Sequence, residues 1–426
     1  MMSNRRSRSS AARPLSTMAS ELRDGWVALL AAFTGFALSP MYLMVYSFGL
    51  FIAPLSNEFN WSRSEMGLTL TISGLLTALV SPPAGWIADR YGTRYMVPLS
   101  MLLAAGCFAA FSRFGPDVRY FWLGYAVLGT LIAGCSTMVF TRIVSANFTF
   151  ARGTALGLAF LGTGVCAILT PLLVNAGIER FSWRTTYLLI GMVTAGAAVP
   201  MAILLASNHR IDRQRPLRPS SQAESGALRR ALSTREFWLL ATACLCLTAA
   251  LTGMVPQFVP ILEANGISAS GAAAIASFMG AAVAGGRMFS GFLADRFFAP
   301  RVAALFVVGG TAGSLLLMTG ASEVAWLAAL AIGLAFGAEI DLAGYIASRY
   351  FGTRNFGVIY GFLYIFIVIG SSASHMLYGA MYDLTGGYFA ALVAAIALLL
   401  CSIVCFLAMP GFSDLVREDT LLQEQS

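Results

Sequence analysis

The stretch "GWIADRYGTR" at Gly85–Arg94 returns as "GFLADRFFAPR" at Gly291–Arg301, so that Gly85, Asp89 and Arg90 recur as Gly291, Asp295 and Arg296, each 206 positions later. A second echo pairs Gly153 and Gly157 with Gly357 and Gly361, 204 positions apart. A repeat displaced by about half the chain marks a protein built from two related halves, with a site expected where they meet. Each charged motif closes an apolar run of ~20 residues, the length that crosses the hydrocarbon core of a bilayer. Working outward from the two motifs, twelve such runs can be marked, the first at about 26 to 51, the fourth at about 120 to 145 and the last at about 387 to 409. The fold class that follows is an all-α membrane protein with twelve transmembrane helices in two pseudo-symmetric six-helix bundles.

Composition agrees with this and removes other classes. Of the 426 residues 58% are hydrophobic and 11% charged, against about half and a quarter in soluble domains. All 27 basic residues are arginine and the net charge is +7, but the basic residues flank apolar runs rather than covering a folded face. Lipid and not nucleic acid is therefore the expected surrounding. The seven cysteines all lie in apolar stretches without a paired C-x-x-C, and the two histidines, His209 and His375, form no cluster with them. No cofactor, metal site or catalytic constellation is expected, and the absence of a GKS-type or GKT-type loop speaks against direct ATP coupling.

Arginine placement orients the chain. With both termini cytoplasmic, the inner segments hold 20 arginines and the outer ones five, namely Arg63, Arg113, Arg119, Arg180 and Arg184. The positive-inside rule then predicts a multi-pass protein of the cytoplasmic (inner) membrane. The expected divisions are a cytoplasmic tail at 1–25, an N-terminal bundle at 26–206, an arginine-rich cytoplasmic linker at 207–235, a C-terminal bundle at 236–409 and a second tail at 410–426. The Arg/Ser-rich start precedes an apolar run too long for the core of a signal peptide, and is expected to stay as a tail.

The pattern Gly85, Asp89, Arg90, Gly92 and Arg94 resembles the loop signature of the major facilitator superfamily, and the degenerate second copy keeps Gly291, Asp295 and Arg296. The resemblance implies the major facilitator fold, function as a monomer, and gating loops whose charges lock and release as the bundles rock. Three further stretches, "RDGWVALL" at Arg23–Leu30, "YSFGLFIAPLSNEFNWSRSEMG" at Tyr46–Gly67 and "ARGTALGLAFLGTGVCAILTPLL" at Ala151–Leu173, are similar to bacterial members of the monocarboxylate transporter family and its oxalate/formate relatives. That resemblance implies a small organic acid and protons as the transported partners. Proton-driven efflux of amphipathic compounds, organic-anion exchange and a non-transporting sensor are the alternatives.

Ionisable groups inside spans are costly, roughly 2.5 to 3.5 kcal/mol each even on insertion scales, and so are candidates for function. Arg287 lies eight residues before Asp295, ~12 Å into the eighth helix, among the small residues Gly280, Ala284, Gly285, Gly286 and Ser290. It resembles the eighth-helix arginine that takes the substrate carboxylate in the family, a task suited to a planar, two-pronged guanidinium. The animal branch has an aspartate one turn earlier, where this chain has Val283, so a proton carrier must come from elsewhere. Glu339 and Asp341 in "FGAEIDLAGYIASRYFG" reach a similar depth on the tenth helix and point ~200° apart, so that only one is expected to face the cavity. Second cations of the family fall at Tyr46 and near Tyr364; in a chain without lysine this favours a monocarboxylate over a dianion. Tyr42, Tyr46, Gln257, Tyr360 and Tyr364 are candidate cavity walls, and His375, far along the eleventh helix, is expected to be structural.

Overall fold

The structure, a computed structural model, describes residues 20–148, 152–206, 228–352 and 356–412. Of the expected polar segments, residues 1–19, 207–227 and 413–426 lie outside these, as does the side chain of Asp89. Twelve helices in the described residues are long and apolar enough to cross a membrane. They are α1 (Trp26–Phe59), α2 (Arg63–Ala88), α3 (Thr93–Phe111), α4 (Val118–Val144), α5 (Thr154–Arg180), α6 (Trp183–Ala206), α7 (Arg235–Ala264), α8 (Ala269–Ala294), α9 (Ala299–Met318), α10 (Ser322–Phe351), α11 (Val358–Thr385) and α12 (Phe389–Leu407). With twelve passes, the start of α1, the end of α12 and the α6–α7 connection share one face, here called the linker side; the other is the far side.

Helix ends and breaks follow local chemistry. The α1 helix continues past the expected end near 51 to Phe59 because its polar residues find partners. Ser56 donates to the Trp61 carbonyl (3.0 Å), and Glu58 accepts from Trp183 (2.6 Å) and Arg184 at the start of α6. It stops at Asn60, whose φ of 58° is one asparagine tolerates. Near its other end α1 breaks at Leu38 and Ser39, since Pro40 has no N–H to continue the ladder and holds Ser39 extended. The fourth span is likewise interrupted, by a 3-10 turn at Ala133–Cys135 before it restarts at Thr137. In α7 the break at Thr252–Gly253 is stitched by α11: Ser374 donates to Ala249 (2.6 Å) and accepts from the Gly253 N–H (2.8 Å).

Each bundle packs internally through α1–α5, α2–α4 and α3–α6 on one side and α8–α10, α9–α10, α7–α12 and α9–α12 on the other; α2–α11, α5–α8 and α1–α7 join the two bundles. Among the described residues, the closest backbone approaches of α2 to α11 and of α5 to α8 lie on their far-side halves. A methyl group added at Gly67 or Gly379 would strike the backbone of His375 or Arg63, and one at Gly280 the backbone of Ala167. Toward the linker side of the same four helices α2, α5, α8 and α11, a methyl at Gly85, Gly157, Gly291 or Gly361 would meet nothing within 4 Å. The interface is thus a wedge, shut at the far side and open at the linker side. Cross-bundle bonds from Thr71 to the Ser372 carbonyl (2.7 Å) and from Ser277 to the Ile168 carbonyl (2.6 Å) lie on its shut half.

Candidate functional site

The wedge contains Arg287. On α8 it is placed by close packing against α10. A side chain at Gly286 or Gly337 would collide with the Leu334 or Val283 carbonyl, so small residues let the two backbones touch. Val283 is buried in that seam, and the acids come from the opposing helix. Glu339 is buried at 7% exposure while Asp341 is exposed, the division expected for two residues ~200° apart on one helix. Both lie within electrostatic reach of Arg287, and Asp341 also of Tyr360; its exposure is therefore to the cavity rather than to lipid.

The N-terminal bundle supplies the other wall. The guanidinium carbon of Arg287 lies 5.1 Å from the centre of the Phe160 ring on α5, close enough for a cation–π contact. Phe160 stacks on Phe36 at 4.6 Å. Tyr42 and Tyr46 of α1 are stacked at 6.5 Å and both face Arg287. The Tyr42 hydroxyl is held 2.9 Å from that of Thr137, just past the break in α4. Tyr360 and Tyr364, 6.3 Å apart on α11, close the third side. Among the described residues, two buried atoms in this group have no hydrogen-bond partner: Arg287 Nε and Glu339 Oε2. Unsatisfied charged groups at such depth are expensive, and a guanidinium edge with a free donor is suited to receive a carboxylate.

Of the residues expected to line the site, the structure brings together Arg287, Glu339, Asp341, Tyr42, Tyr46, Tyr360 and Tyr364. It does not bring Gln257 to them: its Oε1 accepts from the Tyr388 hydroxyl (2.9 Å) at the far side. His375 is buried between α11 and α2, with Nδ1 lacking a hydrogen-bond partner. Sequence reasoning missed Phe36, Phe160 and Thr137. No signal marks them, because a phenylalanine against the cavity and one against lipid read alike in an apolar run.

A sequence profile described as the Major Facilitator Superfamily matches residues 34–375. The chain belongs to that superfamily. Among its relatives, monocarboxylate transporter 11 of Homo sapiens is 27% identical over 404 residues, covering 91% of this chain and 83% of that one. The uncharacterized MFS-type transporter YhjX of Escherichia coli is 27% identical over 372 residues, covering 82% and 86%. The fold resembles solved transporters at low identity. A bacterial homolog of the human lysosomal transporter Spinster, inward-facing and unoccupied, aligns with a TM-score of 0.68 at 18% identity, over 89% of this chain and 93% of that one. A D-xylose–proton symporter aligns with a TM-score of 0.71 at 13% identity, over 91% and 98%. The chain is thus a multi-pass membrane transporter of the Major Facilitator Superfamily.

The superfamily's loop motifs sit on the open side of the wedge. Arg90 packs over the rings of Trp86 and Tyr91 (5.4 and 5.7 Å), Arg296 over Phe292 (3.5 Å), and Arg94 donates to the Tyr95 hydroxyl. Each of these contacts joins residues at most four positions apart in the chain. Asp295 is exposed beside Arg296, and Gly85 and Gly291 face open space. Arg142, at the linker-side end of α4, is half-buried.

Proposed function

We propose that the chain is a secondary active transporter of small monocarboxylates, coupled to protons, acting as a monomer in the cytoplasmic membrane with its linker side inward. The observation that carries this is Arg287: a cation within the spans, inside the wedge between the bundles, with one donor unpartnered among the described residues, set between Phe160 of one bundle and Asp341 of the other. The substrate carboxylate takes the guanidinium plane while the four tyrosines form the walls. Asp341 balances Arg287 in the empty site and gives way to the incoming anion. Glu339, buried beside them, takes the proton on its free oxygen. One proton moving with one monoanion carries no net charge, so the membrane potential does no work on the loaded carrier. With a single bundle of each kind supplying every group, one chain suffices. The monocarboxylate transporter names among the relatives support the same solute class.

The test is uptake into proteoliposomes of radiolabelled lactate, pyruvate, formate, oxalate and aromatic acids, with and without an inward proton gradient. A gradient-stimulated monocarboxylate flux should vanish in Arg287→Ala. In Glu339→Gln, exchange of internal for external acid should persist while gradient-driven accumulation is lost. Normal transport by folded Arg287→Ala would sink the carboxylate assignment and leave proton-driven efflux of amphipathic compounds, to which the aromatic walls are also suited.

A further inference from the structure

The far side carries a second polar cluster, remote from Arg287. The N-terminus of α2 has four first-turn N–H groups that helix geometry leaves without internal partners. Two are satisfied locally by a capping box: Glu65 N–H donates to Ser62 Oγ (3.2 Å) and Ser62 N–H to Glu65 Oε2 (2.9 Å). The other two are satisfied from the opposite bundle. Asp383, near the end of α11, accepts from Arg63 N–H at Oδ1 (3.0 Å) and from Ser64 N–H at Oδ2 (2.8 Å). A carboxylate from the C-terminal half thereby caps a helix of the N-terminal half, with its charge at the positive end of the helix dipole.

The surroundings are built for this contact. Gly379, one turn before Asp383, lies against the Arg63 backbone where a side chain would collide. The Arg63 guanidinium lies 5.3 Å from the centre of the Tyr382 ring and within electrostatic reach of Glu263 on α7 and of Tyr388. Tyr382 and Tyr388 pack at 4.6 Å, and Tyr388 donates to Gln257. Separating the bundles here strips two N–H groups of α2 of their partners and a carboxylate of its α2 donors in one movement.

We propose that Asp383 is the far-side latch of the transport cycle: its carboxylate, by capping α2 across the bundle interface, holds the far side shut, and outward opening requires its release. The latch acts on the bundles and not on the solute, so it stands whichever acid is carried.

The test uses the full chain in nanodiscs, with its native cysteines replaced by alanine and spin labels on Arg180→Cys and Ser322→Cys, one far-side position in each bundle. Pulsed dipolar distances should be short in the otherwise unaltered chain. Asp383→Asn removes the charge and one acceptor and should raise the population with a long far-side distance about tenfold. Ser64→Pro leaves α11 untouched but deletes the N–H and hydroxyl that Ser64 gives the latch, at a first-turn position where proline is tolerated; it should move the distribution the same way by a smaller factor, since the Arg63 N–H remains. Asp117→Asn is the control: that carboxylate caps α4 inside a single bundle, by accepting from Arg119 N–H (3.0 Å), and its loss should leave the distance unchanged. The latch is overturned if Asp383→Asn and Ser64→Pro both give the unaltered distribution, or if Asp117→Asn shifts it equally.

Discussion

The two ends of the bundle interface are made by the same helices and differ in what joins them. At the far side α2 and α11 meet backbone to backbone at Gly67 and Gly379, with hydrogen bonds from Thr71 and to Asp383. At the linker side Gly85 and Gly361, on the same two helices, face open space, and the motif arginines pack on rings of their own helices. The glycine spacing that permits close approach is therefore present at both ends and used at one. The transport cycle proposed above needs the other end to close in turn, and the idle glycines leave room for that approach.

Bulk at the two ends should consequently have opposite effects, and this is the largest contrast expected. Gly67→Leu must displace the His375 backbone, costing ~1–3 kcal/mol of overpacking; Tm in detergent should fall and the far side should open. Gly361→Leu meets nothing in this state and should leave Tm nearly unchanged, yet arrest transport with the linker side held open. Equal Tm losses in the two variants would erase the distinction between used and idle ends.

A smaller effect is expected at the stitched break of α7. Ser374→Ala leaves the Gly253 N–H buried without its partner, at about 1–3 kcal/mol, and thermal unfolding of the variant measures it. The loss should exceed that of Ser402→Ala, whose hydroxyl only donates to the Ala243 carbonyl (3.0 Å) and whose removal leaves no N–H without its partner.

Phe160 tests whether the aromatic wall steadies the cation. Replacing the ring by Leu removes a contact worth about 0.5–2 kcal/mol, so substrate Kd should weaken by about twofold to thirtyfold while Phe160→Tyr stays near the parent. Unchanged binding in the leucine variant would detach the N-terminal bundle from the site. The smallest effect is predicted at the exposed linker-side charges. Arg296→Ala loses an exposed stacking contact on Phe292 and should move stability by about 0.5 kcal/mol or less, read as a Tm shift near zero.

Much of the fold could be read from residue order because the bilayer imposes the constraint: each span must satisfy its own backbone, so length and apolarity alone mark a helix. The half-chain repeat of Gly85, Asp89 and Arg90 announced two bundles by the same logic. Arg287, Glu339 and Asp341 were visible for the complementary reason that charge inside such a span is too costly to be idle. The full reach of α1 to Phe59 was not visible, since it depends on Trp183 and Arg184 of another helix donating to Glu58 near its end.

Residue order was enough for the number of spans, the two-fold plan and the three charges within the spans, because hydropathy and helical rise act along the chain. Tertiary structure alone decided which acid faces the cavity, that Phe160 covers the guanidinium, that Gln257 serves Tyr388 instead, and that Asp383 caps α2. Those outcomes join residues up to 320 positions apart. Their partners are chosen by how helices pack across the bundle interface, a geometry to which periodicity along one helix is blind.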